Sequence, residues 1–300
     1  MSIRGNHRRM RRQQTWFFWL IITVLAGFTI GHELGTQRVT AAPHQWQIVT
    51  CDVGQGSASL IHIDHDSAVL VDAGDEPDKL LGCLNWAGIS KLEGIFLTHE
   101  HEDHVKALES VEKFRGTPVY VSTVFEQKQL PSGYTNLQRQ LQGQSLGFTG
   151  DQCSVEAKTL SPDGLTAHLE ASYNNDSLTE LLNISCIEDR NLTYLATGDL
   201  EKPGVQKLLS QNPDVHADVL AVPHHGSKGA GTALLEATHP QLALISAGKN
   251  NEYGHPHQEI TQYLAQHHVP TASTIESGHI ATYVEQGRLM MVSSHARGRS

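Results

Sequence analysis

Residues Thr98 to His104 read T-H-E-H-E-D-H, which places His99, His101, Asp103 and His104 directly after the apolar stretch Gly94, Ile95, Phe96, Leu97. Imidazole nitrogens and carboxylate oxygens suit zinc, manganese or iron. A mixed set with no cysteine beside it belongs to a catalytic ion rather than to a structural zinc knot. In an extended segment His99 and His101 project to the same side and reach one ion, while Asp103 and His104 lie where the chain turns and can serve a second. A solvated loop that happens to be rich in histidine is the competing account, and the spacing H-x-H-x-D-H after a strand-like run disfavours it.

Three later segments carry chemistry of the same kind. Leu195-Ala196-Thr197-Gly198-Asp199 ends an apolar strand in a carboxylate, with a glycine that lets the chain bend. Ala221-Val222-Pro223-His224-His225-Gly226-Ser227-Lys228 ends another in a histidine pair, and Ser246 to Pro256 ends a third in a polar loop holding Lys249, Asn250, Tyr253 and His255. Residues at the carboxyl ends of strands in α/β sheets line ligand crevices, so all three segments can converge on the histidine cluster. Alternatives exist for each: Asp199 as a helix N-cap, His224 and His225 as ordinary loop residues, and His255 before Pro256 as a turn. Asp72, in Leu70-Val71-Asp72-Ala73-Gly74, reads as a hydrogen-bonding support for the histidine loop rather than a ligand.

The elements that must position these residues alternate between strand and helix. Strands are expected at 47–52, 58–63, 68–72, 94–98 and 117–124, with helices at 78–88 and 104–114. Residues 126–152, rich in Gln, Gly and Ser, read as a mobile connection. A second set follows: strands near 153–160, 166–171, 178–187, 192–197, 218–222 and 242–246, helices at 203–211 and 257–267, and closing strands at 270–275 and 280–292. The fold class is therefore α/β, with helices covering sheet faces.

Composition bounds the rest. The chain of 300 residues is 39% apolar, enough for a real core. Its first 31 residues stand apart, because Arg4, Arg8, Arg9, Arg11 and Arg12 precede the apolar run Trp16 to Gly31. This pattern is expected to be a signal anchor with its basic end in the cytoplasm, ahead of a cleaved signal peptide, and the two Arg-Arg pairs match a twin-arginine signal only weakly. The expected organisation is thus a signal segment at 1–31, a linker at 32–45, the main α/β domain at 46–292 and a tail at 293–300, the domain lying outside the cytoplasm and tethered to the membrane. Of the chain's 22 basic and 32 acidic side chains, residues 1–40 hold six arginines and one glutamate, which leaves a net charge of about −15 on the remainder. That sign disfavours tight binding of duplex nucleic acid by the domain alone. Cys51, Cys83, Cys153 and Cys186 allow up to two disulfides in an oxidising compartment, or isolated buried thiols.

In chain order, Asp72 in its V-D-x-G turn, H-x-H-x-D-H, a strand-end Asp and a strand-end His resemble the metallo-β-lactamase superfamily over roughly residues 46–292. Within it, Asp52-Val53-Gly54-Gln55-Gly56, Asn174-Asn175-Asp176-Ser177-Leu178, Thr197-Gly198-Asp199, His224-His225-Gly226-Ser227-Lys228 and Gly248 to Pro256 resemble the ComEC-like hydrolase domains of competence proteins. Two positions depart from that subgroup: His101 stands where aspartate is common, and Ser57 where an acidic residue is usual. The superfamily's third histidine has no counterpart at Asn174 to Ser177, and His168 lies too far upstream to replace it. The ion at His99 and His101 is then left with Asp199 and a weaker oxygen ligand.

The resemblance implies an αββα sandwich holding two divalent ions, zinc or manganese, among His99, His101, Asp103, His104, Asp199, His224 and His225, with Asp72 and Asn175 as supports. It implies metal-assisted hydrolysis in which Asp199 bridges the ions and Asp103 also orients the attacking water. Ser227, Lys228, Lys249, Asn250 and Tyr253 would hold phosphate oxygens, and His255 would protonate the leaving oxygen. The expected substrate is a phosphodiester in a nucleotide, single-stranded nucleic acid or phosphorylated envelope component; no protein partner is inferable. Hydrolysis of a carbon ester, lactam or thioester is the alternative on the same fold, and a metal-binding module without catalysis is a third reading.

Overall fold

The computed structural model describes residues 39–164 and 173–295, within one compact unit, Val39–His295. The expected signal segment, the tail beyond His295, the strand expected at 166–171 and His168 lie outside the described residues. Among those described, no helix is long and apolar enough to cross a membrane.

Two sheets carry the molecule. The first runs in the order β15-β14-β1-β2-β3-β4-β5-β6, from β1 (Ile48–Thr50), β2 (Ser59–Asp64), β3 (Ser67–Val71), β4 (Lys91–Leu97), β5 (Val119–Ser122), β6 (Leu137–Gln140), β14 (Ile280–Glu285) and β15 (Arg288–Ser293). The second runs β13-β12-β11-β10-β9-β8-β7, from β7 (Ser145–Thr149), β8 (Cys153–Ser161), β9 (Thr179–Cys186), β10 (Arg190–Ala196), β11 (Val219–Ala221), β12 (Leu242–Ile245) and β13 (Thr271–Ser273). Three apolar layers follow from this arrangement. Ile48, Phe96, Leu182 and Tyr194 fill the space between the sheets. Helix α1 (Pro77–Ala87) buries Leu80 and Leu84 with Leu60 and Ile95 of the first sheet. Helices α3 (Lys202–Gln211) and α5 (Gln258–Gln266) bury Val205, Leu208, Ile260 and Leu264 with Leu195 and Leu220 of the second. Each sheet therefore has one face on its partner and one under helices.

Local chemistry explains most element ends. Pro77 opens α1, and Gly88, left-handed at φ 76°, closes it by donating its N–H to the Leu84 and Asn85 carbonyls. Ser273 caps the short helix α6 (Thr274–Ser277), which ends the strand expected at 270–275 after three residues.

Four further segments differ from the sequence expectation. The helix expected at 104–114 is α2 (Glu102–Val105) followed by two 3-10 turns, because the His104 carbonyl accepts from Ala73 and the Ala107 N–H donates to the Gly74 carbonyl instead of continuing the helix. The connection at 126–152 contains β6 and β7, half-exposed strands at sheet edges, β6 made of polar Gln138, Arg139 and Gln140 after Leu137 and β7 turning only Leu146 and Phe148 to the core. The strand expected over 280–292 is a hairpin, turned at Gln286 and Gly287 with φ of 50° and 71°. Helix α4 (Ala233–Thr238) was not expected.

All four cysteines pair, Cys51 with Cys83 and Cys153 with Cys186. The second bond crosses directly from β8 to β9. The first ties the loop leaving β1 to α1 and closes a separation of 32 residues, so by chain entropy its loss costs about 3–4 kcal/mol. Replacing Cys51 and Cys83 by alanine is expected to lower the melting temperature by on the order of 10 °C in calorimetry. An unchanged melting temperature would show that the bond constrains nothing in the unfolded chain.

Candidate metal centre

The histidine loop is held from beneath by one carboxylate. Asp72 follows β3, whose register with β4 sets Val71 beside Phe96, and it adopts a left-handed φ of 55°. Its Oδ1 accepts from the Thr98 N–H at 2.8 Å, its Oδ2 from the Thr98 hydroxyl at 2.9 Å and from His104 Nδ1 at 2.8 Å. With Nδ1–H committed to Asp72, His104 turns Nε2 inward, toward Asp199. Asp103 is held through its backbone: its carbonyl accepts from the Ser57 N–H at 3.2 Å. A Cβ on Gly56 would lie 1.9 Å from that carbonyl, and its φ of 106° suits glycine alone.

The second sheet delivers the remaining groups. Beyond β10 the chain bends at Gly198, φ 53°, where a Cβ would lie 2.6 Å from the Thr98 Cβ. The Asp199 N–H then donates to Ser177 Oγ at 3.2 Å. The N-terminus of α3 is capped from elsewhere, by Asn175 Oδ1 accepting from Glu201 and Gly204 N–H at 3.3 and 2.9 Å, which leaves the Asp199 carboxylate free to face the histidines. Beyond β11, His224 and His225 are both left-handed, at φ 51° and 56°. Their rings separate as a result, and His225 donates Nδ1–H to the Ser246 carbonyl at 2.9 Å, presenting Nε2 inward.

Two sets of ligand atoms emerge: Asp103, His104, Asp199 and His225, and His99, His101 and Asp199, each set lying within 4.8 Å of its own members. Asp199 Oδ1 stands 3.2 Å from His104 Nε2 and 3.5 Å from His225 Nε2, while Oδ2 stands 3.8 Å from His99 Nε2. Asp103 Oδ2 is 3.4 Å from His225 Nε2. Buried His99 Nε2, His104 Nε2, His225 Nε2 and Asp199 Oδ1 have no hydrogen-bond partner. Orphaned polar atoms of this kind are expensive unless something completes them, and four that converge from two sheets fit a cation. The donors suit two divalent ions sharing Asp199.

Protonation states follow the same geometry. Burial works against charge on His225, but Asp199 and Asp103 override it and push its pKa up to about 9. Burial likewise opposes charge on His104, and Asp199 and Asp72 hold it well above the ordinary histidine value. Despite burial, His225 and His104 hold the Asp199 carboxyl well below the carboxylate range. The Asp103 carboxyl is also depressed against burial, by His225 and then His104. Burial, followed by His104, drives His99 well below its ordinary value.

Residues 51–248 match the metallo-β-lactamase superfamily. The chain belongs to that superfamily. It is 32% identical over 258 residues to ComE operon protein 3 of Bacillus subtilis, covering 76% of this chain and 32% of that protein. It is 25% identical over 269 residues to competence protein ComA of Neisseria gonorrhoeae, covering 87% of this chain and 34% of that one. The chain thus spans about a third of the length of these relatives. A solved B3 metallo-β-lactamase with an active-site glutamic acid is 15% identical, with a TM-score of 0.46 over 62% of this chain and 80% of its own. Membership makes the protein a metal-dependent hydrolase with ComEC-like relatives, and the two ligand sets that share Asp199 are its candidate metal sites.

Around the metallo-β-lactamase centre opens a cavity of ≈ 660 Å³ whose walls include His101, Asp103, Asp199, His224, His225, Asn250, Tyr253 and His255. His224 belongs to neither ligand set: its Nε2 is 3.5 Å from Asp199 Oδ2 and its Nδ1 3.5 Å from Glu201 Oε1. Ser227, Lys228 and Lys249 do not line the cavity. Ser227 Oγ instead accepts from the Gly229 N–H at 3.0 Å. Burial, then His225 and His224, lower His255 to about 4, which favours the neutral imidazole in the metal-free protein. Thr98, Ser246, Gln55 and Asn174 had no assigned role in the sequence reading. Thr98 directly precedes the first ligand, a position that signals support of the loop, whereas the Ser246 carbonyl leaves no trace in residue type.

Asp72→Asn is expected to reduce zinc affinity about 10- to 100-fold in chelator competition, with the fold kept, since the His104 orientation is lost. Equal affinity would remove Asp72 from the site. Metal affinity is also expected to rise with pH. Below about 9 the metal-free protein keeps a proton on His225 that an ion must displace, and raising pH through that value removes the competition. Calorimetry in buffers of different ionisation enthalpy at pH 7 should record proton release, and its absence would contradict this assignment.

Proposed function

We propose that this metallo-β-lactamase superfamily protein is an exported, membrane-tethered phosphodiesterase acting on single-stranded nucleic acid, nucleotides or a phosphorylated envelope component. The observation that carries this reading is the pair of ligand sets sharing Asp199 at the base of an open cavity. Two divalent ions there, zinc or manganese, would neutralise phosphoryl charge and acidify a water molecule.

The chain's own residues supply orientation. Asp103 is kept ionised by His225 and His104, with its side chain 26% exposed at the cavity edge, placed to accept a proton from an attacking water. Asn250 and Tyr253 stand on the wall, and Asn251 braces their loop by donating to the Gly248 and His255 carbonyls at 2.7 and 2.8 Å and accepting from the His255 N–H at 2.8 Å. His255 Nδ1, buried and unpartnered, is available to the leaving oxygen. Among the described residues no lysine or arginine lines this cavity, which together with the acidic domain supports small or flexible substrates over duplex nucleic acid. The competence-protein relatives support nucleic acid within that class. Two disulfides, on Cys51–Cys83 and Cys153–Cys186, support an oxidising compartment outside the cytoplasm.

The full-length protein, loaded with zinc or manganese, is expected to turn over bis-p-nitrophenyl phosphate and single-stranded DNA. Asp199→Ala should lower that activity by more than about 100-fold, beyond the loss for an outer hydrogen-bond partner. Turnover confined to nitrocefin would replace the phosphodiesterase reading with the lactam alternative, and full activity in Asp199→Ala would end the bridging role.

A further inference from the structure

The segment Asp52-Val53-Gly54-Gln55-Gly56 joins β1 to β2, and nothing in the hydrolysis above uses its side chains. It is locked on two sides. Ser57 N–H binds the Asp103 carbonyl, and the Ser246 hydroxyl donates to the Gly56 carbonyl at 2.8 Å. Between these, Gln55 accepts from the Gly248 N–H through Oε1 at 3.4 Å. That donor identifies which end of the carboxamide is oxygen, so the two N–H groups on Nε2 take the other branch. They form no hydrogen bond in the described structure, and Gln55 lines the open cavity beside Asp103, Asp199 and His225.

A phosphoryl group in this cavity meets an unusual wall. Without lysine or arginine lining it among the described residues, and with Asp75, Glu102 and Glu252 unable to donate when ionised, its non-bridging oxygens must be met by neutral donors besides the ions. We propose that Gln55 Nε2 donates to a non-bridging phosphoryl oxygen, making Gln55 a substrate-binding residue. The assignment of the ligand as a phosphoryl compound rests on the phosphodiesterase reading. The loop locks hold the amide at a fixed place relative to Asp103, so the donor is already oriented before substrate arrives.

Two substitutions separate this role from a structural one. Gln55→Glu keeps the oxygen that accepts from Gly248 and puts a carboxylate oxygen where the donor was, whereas Gln55→Met removes both polar ends at similar volume. Inorganic phosphate is titrated calorimetrically into the metal-loaded full-length proteins, with metal content measured in parallel and bis-p-nitrophenyl phosphate kinetics run beside it. A lost hydrogen bond to a charged group corresponds to about 10- to 100-fold. Phosphate affinity should fall by that range in Gln55→Met and further in Gln55→Glu, with metal content unchanged and the loss appearing in kcat/KM.

Wild-type affinity in Gln55→Glu with a loss only in Gln55→Met would overturn the proposal, because the bond to Gly248 would then be the whole role. Failure of the wild type to bind phosphate would overturn it together with the phosphodiesterase reading. Phosphate binding that depends on Gln55, in a protein that hydrolyses no phosphodiester, would uphold the contact and reject that reading alone.

Discussion

Everything in this site turns on one buried carboxylate. Asp199 is 3% exposed, and a bare carboxylate taken that far out of water is tolerated only if opposite charge meets it. Four imidazoles from two sheets surround it: His99 and His104 from the segment after β4, and His224 and His225 from the turn after β11. In the metal-free protein the compensation comes from protons on His104 and His225. The same nitrogens, deprotonated, are metal ligands. Proton and metal therefore compete for one set of atoms, and metal binding is tied to folding because the set exists only when the sheets are packed together.

The supports behind the ligands show how the two sheets share that task. Asp72, Thr98 and His104 form one buried unit on the first sheet. The Thr98 carbonyl also accepts from the Leu178 N–H at 2.7 Å, a bond that reaches across to the second sheet. Ser177, the preceding residue, receives the Asp199 N–H. Asn175, two residues earlier, caps the helix that follows Asp199. The segment where the superfamily would place a third histidine thus works as a brace, setting the Asp199 carboxylate against the histidine loop.

What was legible in the sequence is what is encoded locally. His99 to His104 are contiguous, and Asp199 and His225 each end an apolar strand, so residue type and position together marked them. The strands that carry them end in buried apolar residues, as in β4 and β10. What was hidden depends on contacts between distant residues. The broken helix after His104 follows from bonds to residues 73 and 74; β6 is polar and lies at a sheet edge. Lys228 and Lys249 have the charge to bind phosphate, but charge on a loop does not say which way the loop faces. Gln55 carries no charge and drew no role, yet contacts with Asp103, Ser246 and Gly248 set its loop beside the ions' ligands.

The histidine pair shows how backbone strain can settle a choice that residue type leaves open. Two consecutive non-glycine residues in the left-handed region cost of order 1–3 kcal/mol each and persist only where the surroundings determine them. Here the determinants are a hydrogen bond from the His224 N–H to the Gly198 carbonyl at 3.1 Å and the bond from His225 Nδ1 to Ser246. The first ties the turn to the bend that delivers Asp199; the second fixes which nitrogen faces it. Ordinary β geometry would also have pointed adjacent rings apart, but to opposite faces of a strand, with one ring lost to the core. The left-handed pair instead keeps both rings on the cavity side, His225 among the buried ligands and His224 on the wall beside Glu201. A buried ligand and a cavity-wall imidazole come from adjacent residues by this means, and the strain is the structural reason they are not equivalent.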